Sequence, residues 1–252
     1  MKKIALVTGG SRGIGKASAL ALAGKGVDVI LTYNTKKEEA EKTVAEIAGT
    51  GQKAVAIQFD VSDLKSYGLF IQKISDVLKS KWTTEKFDYL LNNAGIGSTI
   101  PYAQVNEEQF DNLMNIHFKG VYFLTQKLLP HMSDNGSIVN ISSATTRFAN
   151  PGYSLYASMK GAVEVFTRYL AKELGQRGIR ANVLAPGPVE TDFNNASIRN
   201  APPERRNMMI GNTALGRLGQ ADDIGSVVAF LCSDDAKWIT GQKIEISGGI
   251  NL

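Results

Sequence analysis

Tyr156 and Lys160 stand four residues apart inside a strongly helical stretch, so a phenol and an ammonium share one helix face. A cation so placed favours the phenolate and can bring an acid of ordinary pKa near 10 into use as a proton donor or acceptor. Any long helix produces such a pair by chance, and what precedes this one gives it meaning. Ser143, thirteen residues before Tyr156, closes the apolar run Ser137–Ile141, where a hydroxyl could polarise a substrate oxygen. Asn92-Asn93-Ala94-Gly95 closes another run, and Asp60-Val61 a third. Near the start, Lys3–Thr8 passes directly into Gly9-Gly10-Ser11-Arg12-Gly13-Ile14-Gly15 and then into a helical stretch. Glycines 9, 13 and 15 allow a tight turn, close approach to a pyrophosphate and packing of helix on strand, while the helix start offers free N–H groups. Two of these segments have a second meaning: Asp60 to Asp63 could cap a helix or accept from an adenine edge, and Asn92-Asn93 could simply turn the chain.

Positioning such groups requires a frame, and the hydropathy pattern supplies one. Short β-branched runs at 3–8, 27–32, 54–59, 87–92, 137–142, 179–185 and 243–247 alternate with stretches of helical period at 13–24, 36–49, 62–80, 107–130, 153–175 and 221–232. Alternation of this kind implies an α/β fold, a doubly wound seven-stranded parallel sheet with helices on both faces. Its ligands bind outside the carboxyl ends of the strands, which is where the motifs fall. No linker divides the chain, so residues 1–252 are expected to form one domain. The long irregular stretch 187–219 carries Pro188, Pro202, Pro203 and Gly211, and 188–215 is expected to be a substrate lid with Phe193, Met208, Met209 and Ile210 as its apolar cover.

Composition narrows the classes. A net charge of +4 is spread over scattered cations whose longest runs are pairs such as Lys36-Lys37 and Arg205-Arg206, which argues against a nucleic-acid partner. Cys232 is the single cysteine and sits in an apolar helical stretch, so it reads as a core residue. With two histidines and no ligand cluster, a metal site is not expected, and His117 reads as structural. The apolar run behind Met1-Lys2-Lys3 ends at Thr8, too short for a leader, and no run approaches the length of a membrane span. A cytoplasmic protein is the expectation.

In combination the motifs resemble the short-chain dehydrogenase/reductase family, in the branch that includes 3-oxoacyl-carrier-protein reductases and glucose dehydrogenases. Thr8 to Gly15 matches its T-G-x-x-x-G-x-G, Asn92 to Gly95 its N-N-A-G, and Asn115 its helix asparagine; Ser143, Tyr156 and Lys160 match its triad, and Pro186-Gly187 with Thr191 its P-G segment. The resemblance implies hydride transfer between a nicotinamide cofactor and a carbonyl or alcohol. Tyr156 is then the general acid/base, with Lys160 lowering its pKa and holding the nicotinamide ribose. Ser143 polarises the substrate oxygen, and Asn115 anchors a water chain. The implied cofactor site comprises Gly9, Ser11, Arg12, Gly13, Ile14, Gly15, Asn34, Asp60, Val61, Asn92, Ala94, Gly95, Tyr156, Lys160, Pro186, Gly187, Val189 and Thr191; the implied substrate site is Ser143, Thr145, Tyr153 and Phe193. Two departures stand out: Ser142-Ser143-Ala144-Thr145-Thr146 lacks a glycine often found after the serine, and Ser247-Gly248-Gly249 replaces the usual Asp-Gly-Gly.

NADP(H) is expected over NAD(H), although NAD(H) remains open. The second strand ends Leu31-Thr32-Tyr33-Asn34-Thr35 without a carboxylate for a ribose 2′-hydroxyl, and Asp28 lies at its beginning. Arg12, helped by Asn34 or Lys36, can instead pair with a 2′-phosphate. A homotetramer is implied by the resemblance, with helices 107–130 and 153–175 carrying more apolar residues than one sheet buries. The substrate is expected to be a small free carbonyl compound. Relatives that serve the acidic carrier protein place an arginine where this chain has Asp134, though Arg177 is kept and Lys127 or Arg180 could compensate. A fatty-acid-synthesis 3-oxoacyl reductase is the alternative among enzymes. A non-enzymatic cofactor sensor is the alternative of another class, and the complete Asn/Ser/Tyr/Lys set argues against it.

Overall fold

Strands β1 (Ile4–Val7), β2 (Asp28–Tyr33) and β4 (Phe87–Asn92) are buried at every residue, which is why they read as continuous apolar runs rather than as an alternation. With β3 (Ala54–Gln58), β5 (Met132–Ile141), β6 (Arg180–Pro186) and β7 (Lys243–Ile246) they form one seven-stranded sheet in the order β3-β2-β1-β4-β5-β6-β7. All neighbouring strands pair in parallel, as the alternation with helices predicts. The computed structural model describes residues 2–252. Winding reverses between β1 and β4, and a crevice for a ligand opens at that point above the carboxyl ends.

Helices α1 (Gly13–Gly24), α2 (Lys37–Gly49), α3 (Tyr67–Trp82), α4 (Glu107–Met114), α5 (Gly120–Leu128), α6 (Ser154–Leu174) and α9 (Ala221–Cys232) cover the sheet. Apolar side chains against the sheet pack in two clusters, one around Val7, Leu22, Leu31 and Val228 and the other around Leu6, Ile30, Phe70 and Leu90, and a third, smaller cluster gathers Leu113, Leu155, Tyr156 and Met159. The first two clusters take alternate residues of the same strands, so they lie on opposite faces. Among the described residues no helix is long and apolar enough to cross a membrane.

Three boundaries differ from the sequence expectation, each for a local reason. Strand β5 starts at Met132 rather than 137, because Met132 already pairs with Phe87 before the chain bulges at Asn135 (φ 60) and the register shifts. The stretch 107–130 is not one α-helix: Asn115–Lys119 is a π-helical turn between α4 and α5. The segment 187–219 holds α7 (Phe193–Ala196) and α8 (Pro203–Gly211), so its prolines are not all breakers. Pro203 sits in the first turn, where a missing N–H costs nothing. Asn194, Asn195 and Ala196 have left-handed φ values of 52°, 54° and 56°, a strained run in the first third of the segment.

Candidate active site

A cavity of about 760 Å³ opens above the carboxyl ends of the strands, and most of the motif residues line it. Its floor begins at the glycine turn, which two side chains hold. Thr8 Oγ1 accepts from the backbone N–H groups of Asn93 (2.9 Å) and Ala94 (3.0 Å), and Asn93 Nδ2 donates to the carbonyls of Thr8 and Gly9 at 3.0 and 3.1 Å. The ends of β1 and β4 are therefore fixed to each other across the switch point. Asn92, assigned to the cofactor from the motif, requires correction: it points into the core, donating to Thr125 Oγ1 and Asn140 Oδ1, and does not line the cavity. Gly15 also lies behind the lining, where a Cβ would come within 2.2 Å of the Gly9 carbonyl oxygen. It is a packing glycine that lets α1 start directly beneath the turn.

Ser11, Arg12, Gly13, Ile14, Asn34, Asp60, Val61, Ala94, Gly95, Pro186, Gly187, Val189 and Thr191 all border the cavity. Helix α1 begins there with no side-chain cap and no acidic residue in its first turn, leaving its N–H groups open to an anion. Arg12 is exposed, borders the cavity as Thr35 and Lys36 do, and forms no ion pair among the described residues. The side chains of Asn34 and Asp60 are engaged with the protein: Asn34 Nδ2 donates to Asp60 Oδ2 at 3.2 Å, while Asp60 Oδ1 accepts from Ser62 N and Oγ. Asp60 is thus a turn cap that also borders the cavity, as does Lys36.

Around Tyr156 the cavity becomes enclosed. Tyr156 and Lys160 project from the first turns of α6 and are both buried. Lys160 Nζ donates to the Ile141 carbonyl at 2.8 Å and lies 5.6 Å from the centroid of the Tyr156 ring. Ser143, extended two residues after β5, accepts from Thr145 Oγ1 at 2.9 Å, and its hydroxyl is near enough to Tyr156 to favour the phenolate. Burial pushes the Tyr156 phenol above its ordinary range, opposed by the hydrogen bond from Ser143. The same burial pulls the Lys160 ammonium down to about 8. In the protein alone desolvation of the phenolate is the first influence on Tyr156, which rests as a neutral phenol holding its proton.

Asn115 does not itself border the cavity. It opens the π turn, where its carbonyl accepts from the Gly120 N–H, and it is Ile116 and His117 that face the cavity. His117 is fully buried, with its ring edge-on to Tyr156 at 5.2 Å and Nε2 2.8 Å from the Ile96 carbonyl oxygen. Desolvation, with the nearby Lys160 charge, drives its pKa well below the usual value and keeps it neutral. A Cβ on Gly95 would meet this imidazole at 2.7 Å, so residue 95 is glycine because the histidine is there.

On the substrate side Thr145, Tyr153 and Phe193 line the cavity as expected, with the Phe193 ring 6.3 Å from that of Tyr156. Phe148 and Ile198, which no motif marks, join them, as do Met208 and Met209; Ile210 lies outside, since it is one position round α8 from the inward face. A neutral phenol beside a serine hydroxyl and a buried lysine can bind a carbonyl oxygen and deliver a proton to it.

Comparison with known proteins agrees with this geometry. Residues 9–251 match a family model described as enoyl-(acyl carrier protein) reductase. The chain belongs to the short-chain dehydrogenase/reductase family. It is an oxidoreductase of that family. It is 40% identical to an uncharacterised oxidoreductase of Methylorubrum extorquens, over 98% of this chain and 97% of that one. It is 38% identical to a 3-oxoacyl-[acyl-carrier-protein] reductase of Staphylococcus aureus, over 100% and 99%. The structure of the angucycline C-6 ketoreductase LanV with bound NADP superposes with a TM-score of 0.93 at 35% identity, covering 99% of this chain and 96% of that one.

Proposed function

We propose that this short-chain reductase reduces a free ketone with NADPH, Tyr156 protonating the carbonyl oxygen while Ser143 holds it. The observation that carries this is the neutral, buried phenol beside Ser143 at the closed end of a cavity whose other end is a bare helix N-terminus with an unpaired arginine. Those residues suit an anionic dinucleotide: the α1 N–H groups and the glycine turn for its pyrophosphate, Arg12 and Lys36 for a 2′-phosphate, and Lys160 for the ribose. Bound NADPH supplies the hydride. The protein supplies the dry pocket, the oriented oxygen and the proton.

Two measurements test the cofactor half. Steady-state reduction of a ketone panel should be more efficient with NADPH than with NADH, and equal or better efficiency with NADH overturns the assignment. Arg12→Ala should raise the KM for NADPH by about tenfold to a hundredfold, the worth of one charge-assisted contact, and leave that for NADH nearly unchanged.

Residues 188–215 act as a lid over the substrate. Thr191 packs on the glycine turn, 3.5 Å from the Cβ position of Gly13, and Glu190 accepts from Gln220 at 2.6 Å, so the start of the segment is tied to the body of the protein, while Phe193, Asn194, Met208 and Met209 border the cavity. Limited proteolysis within this stretch should slow when cofactor and ketone are both bound. Equal rates with and without ligands count against a lid.

The assembly is a homotetramer in our reading. Of the apolar residues on α4, α5 and α6, Leu113, Val121, Leu124, Val163 and Leu170 pack inward, which corrects part of the sequence argument. Phe110, Tyr122, Val165 and Tyr169 remain exposed on the outer faces of these helices. Light scattering at micromolar concentration should return the mass of four chains, and a monomer mass refutes the assignment.

A further inference from the structure

Glu164 lies two helical turns beyond Tyr156 and one beyond Lys160, on the same stripe of α6, and its side chain is mostly buried. A single oxygen, Oε1, accepts from Ser142 Oγ at 2.7 Å, from Thr146 Oγ1 at 2.6 Å and from Lys243 Nζ at 3.1 Å. Ser142 immediately precedes Ser143, and Thr146 Oγ1 also lies 2.8 Å from the Ser143 carbonyl oxygen. The turn that presents Ser143 to Tyr156 is thus held from both sides by a carboxylate on the helix that carries Tyr156 itself. Thr146 occupies the stretch where the family pattern has a glycine, so a hydrogen-bonded side chain here takes over the shaping of the turn.

The next residue anchors the same wall to the C-terminal segment. Arg147 makes a two-point ion pair with Glu245, at 2.8 Å through both Nε and Nη2, and donates to the carbonyls of Ile250 and Asn251. Ser247 donates to Glu245 Oε1 at 2.6 Å, so the second departure from the family pattern belongs to the same network. Arg147 also lies over the Phe148 ring at 5.3 Å, and both Phe148 and Ile250 line the cavity.

We propose that Glu164 and the Arg147–Glu245 pair are positioning residues of the reaction. Glu164 sets where Ser143 stands relative to Tyr156, and the pair fixes the Phe148–Ile250 wall that decides which ketones fit. The proposal rests on the ketone-reductase assignment, and neither group touches the cofactor end of the cavity.

The test compares Glu164→Leu, Glu164→Gln, Thr146→Val and Arg147→Met with the unaltered protein. NADPH affinity is measured by fluorescence, kcat and KM for a compact and a fused-ring ketone by absorbance, and amide exchange over 143–148 with NADPH bound. Glu164→Leu should lower kcat by about tenfold to a hundredfold, as a misplaced reacting group does, without weakening NADPH binding. Glu164→Gln, which keeps an acceptor oxygen, should restore most of it. Thr146→Val, a milder change available if the Leu variant does not fold, should lower kcat in the same sense. Arg147→Met should alter the ratio of kcat/KM between the two ketones. Both anchors, once cut, should speed exchange at 144–148. Glutamine failing as badly as leucine, Thr146→Val leaving kcat untouched, or an unmoved ratio in Arg147→Met overturns the proposal. If the unaltered protein reduces neither ketone, the functional assignment is what fails. The exchange arm then decides only whether these groups hold the 143–148 turn: unchanged exchange overturns the proposal, and faster exchange upholds that anchoring without a role in ketone reduction.

Discussion

Tyr156→Phe should remove nearly all turnover and leave NADPH binding in place. The substitution deletes one hydroxyl from a buried ring whose body packs edge-on to His117, so the fold loses little while the carbonyl oxygen loses its proton donor. General acid catalysis contributes about 10²–10⁴ in rate, and a variant retaining more than about a hundredth of the activity would show that Tyr156 is not the acid. Lys160→Ala should damage both rate and cofactor affinity. Its ammonium lies 5.6 Å from the centroid of the Tyr156 ring, and a cation at that range favours the phenolate over the phenol. Because burial pulls Lys160 down to about 8, it is charged below that pH and neutral above it. The charge stabilises the phenolate left after proton delivery. Reduction should therefore slow as pH rises through about 8, and a pH–rate profile of Lys160→Ala should lack that limb.

Free ketones should be reduced far more efficiently than 3-oxoacyl groups on carrier protein. The arginine kept from the carrier-dependent pattern is not available to a partner: Arg177 donates through Nε to Asp134 at 2.7 Å, through Nη2 to the Met132 carbonyl at 2.7 Å and through Nη1 to that of Leu129 at 3.1 Å. Where carrier-dependent relatives place a second cation, Asp134 neutralises the first. An acidic protein approaching this surface meets one free cation fewer, and steering by charge is worth about 10–10³ in association rate. Parallel assays with NADPH decide the matter, and Asp134→Arg should improve the carrier-linked substrate selectively. A carrier-linked substrate that wins by orders of magnitude in the unaltered protein would instead support 3-oxoacyl-[acyl-carrier-protein] reduction, the activity for which its Staphylococcus aureus relative is named.

The sheet and its strand-end motifs were legible because the fold is built by burial: strands buried on both faces announce themselves as apolar runs, and the turns after them must be glycine or short polar residues. Legibility stopped where one residue step changes the facing. Asn92 and Asn93 are chemically identical, yet one enters the core and the other clamps the glycine turn, a difference set by the pleat at the end of β4. His117 was readable as structural, but its contact with Tyr156 was not, because an ideal helical wheel drawn through 107–130 omits the π turn. The network at Glu164 did leave a trace, a carboxylate eight residues after Tyr156 on the helical stripe. What the sequence could not show was that Ser142 and Thr146, far from it along the chain, would converge on one of its oxygens.

The π turn at Asn115–Lys119 can be understood as a phase offset. An α-helix advances about 100° per residue, so one surplus residue rotates everything after it relative to everything before it by that angle. Here the rotation separates two duties along a single rod: at the turn Ile116 and His117 are aimed at the chemistry, and past it Tyr122 is turned outward. Regularising the rod by deleting one residue would improve its hydrogen bonding and at the same time put one of those faces out of register. Local helical stability and the alignment of the pocket with the outer surface are thus opposed at this point of the chain.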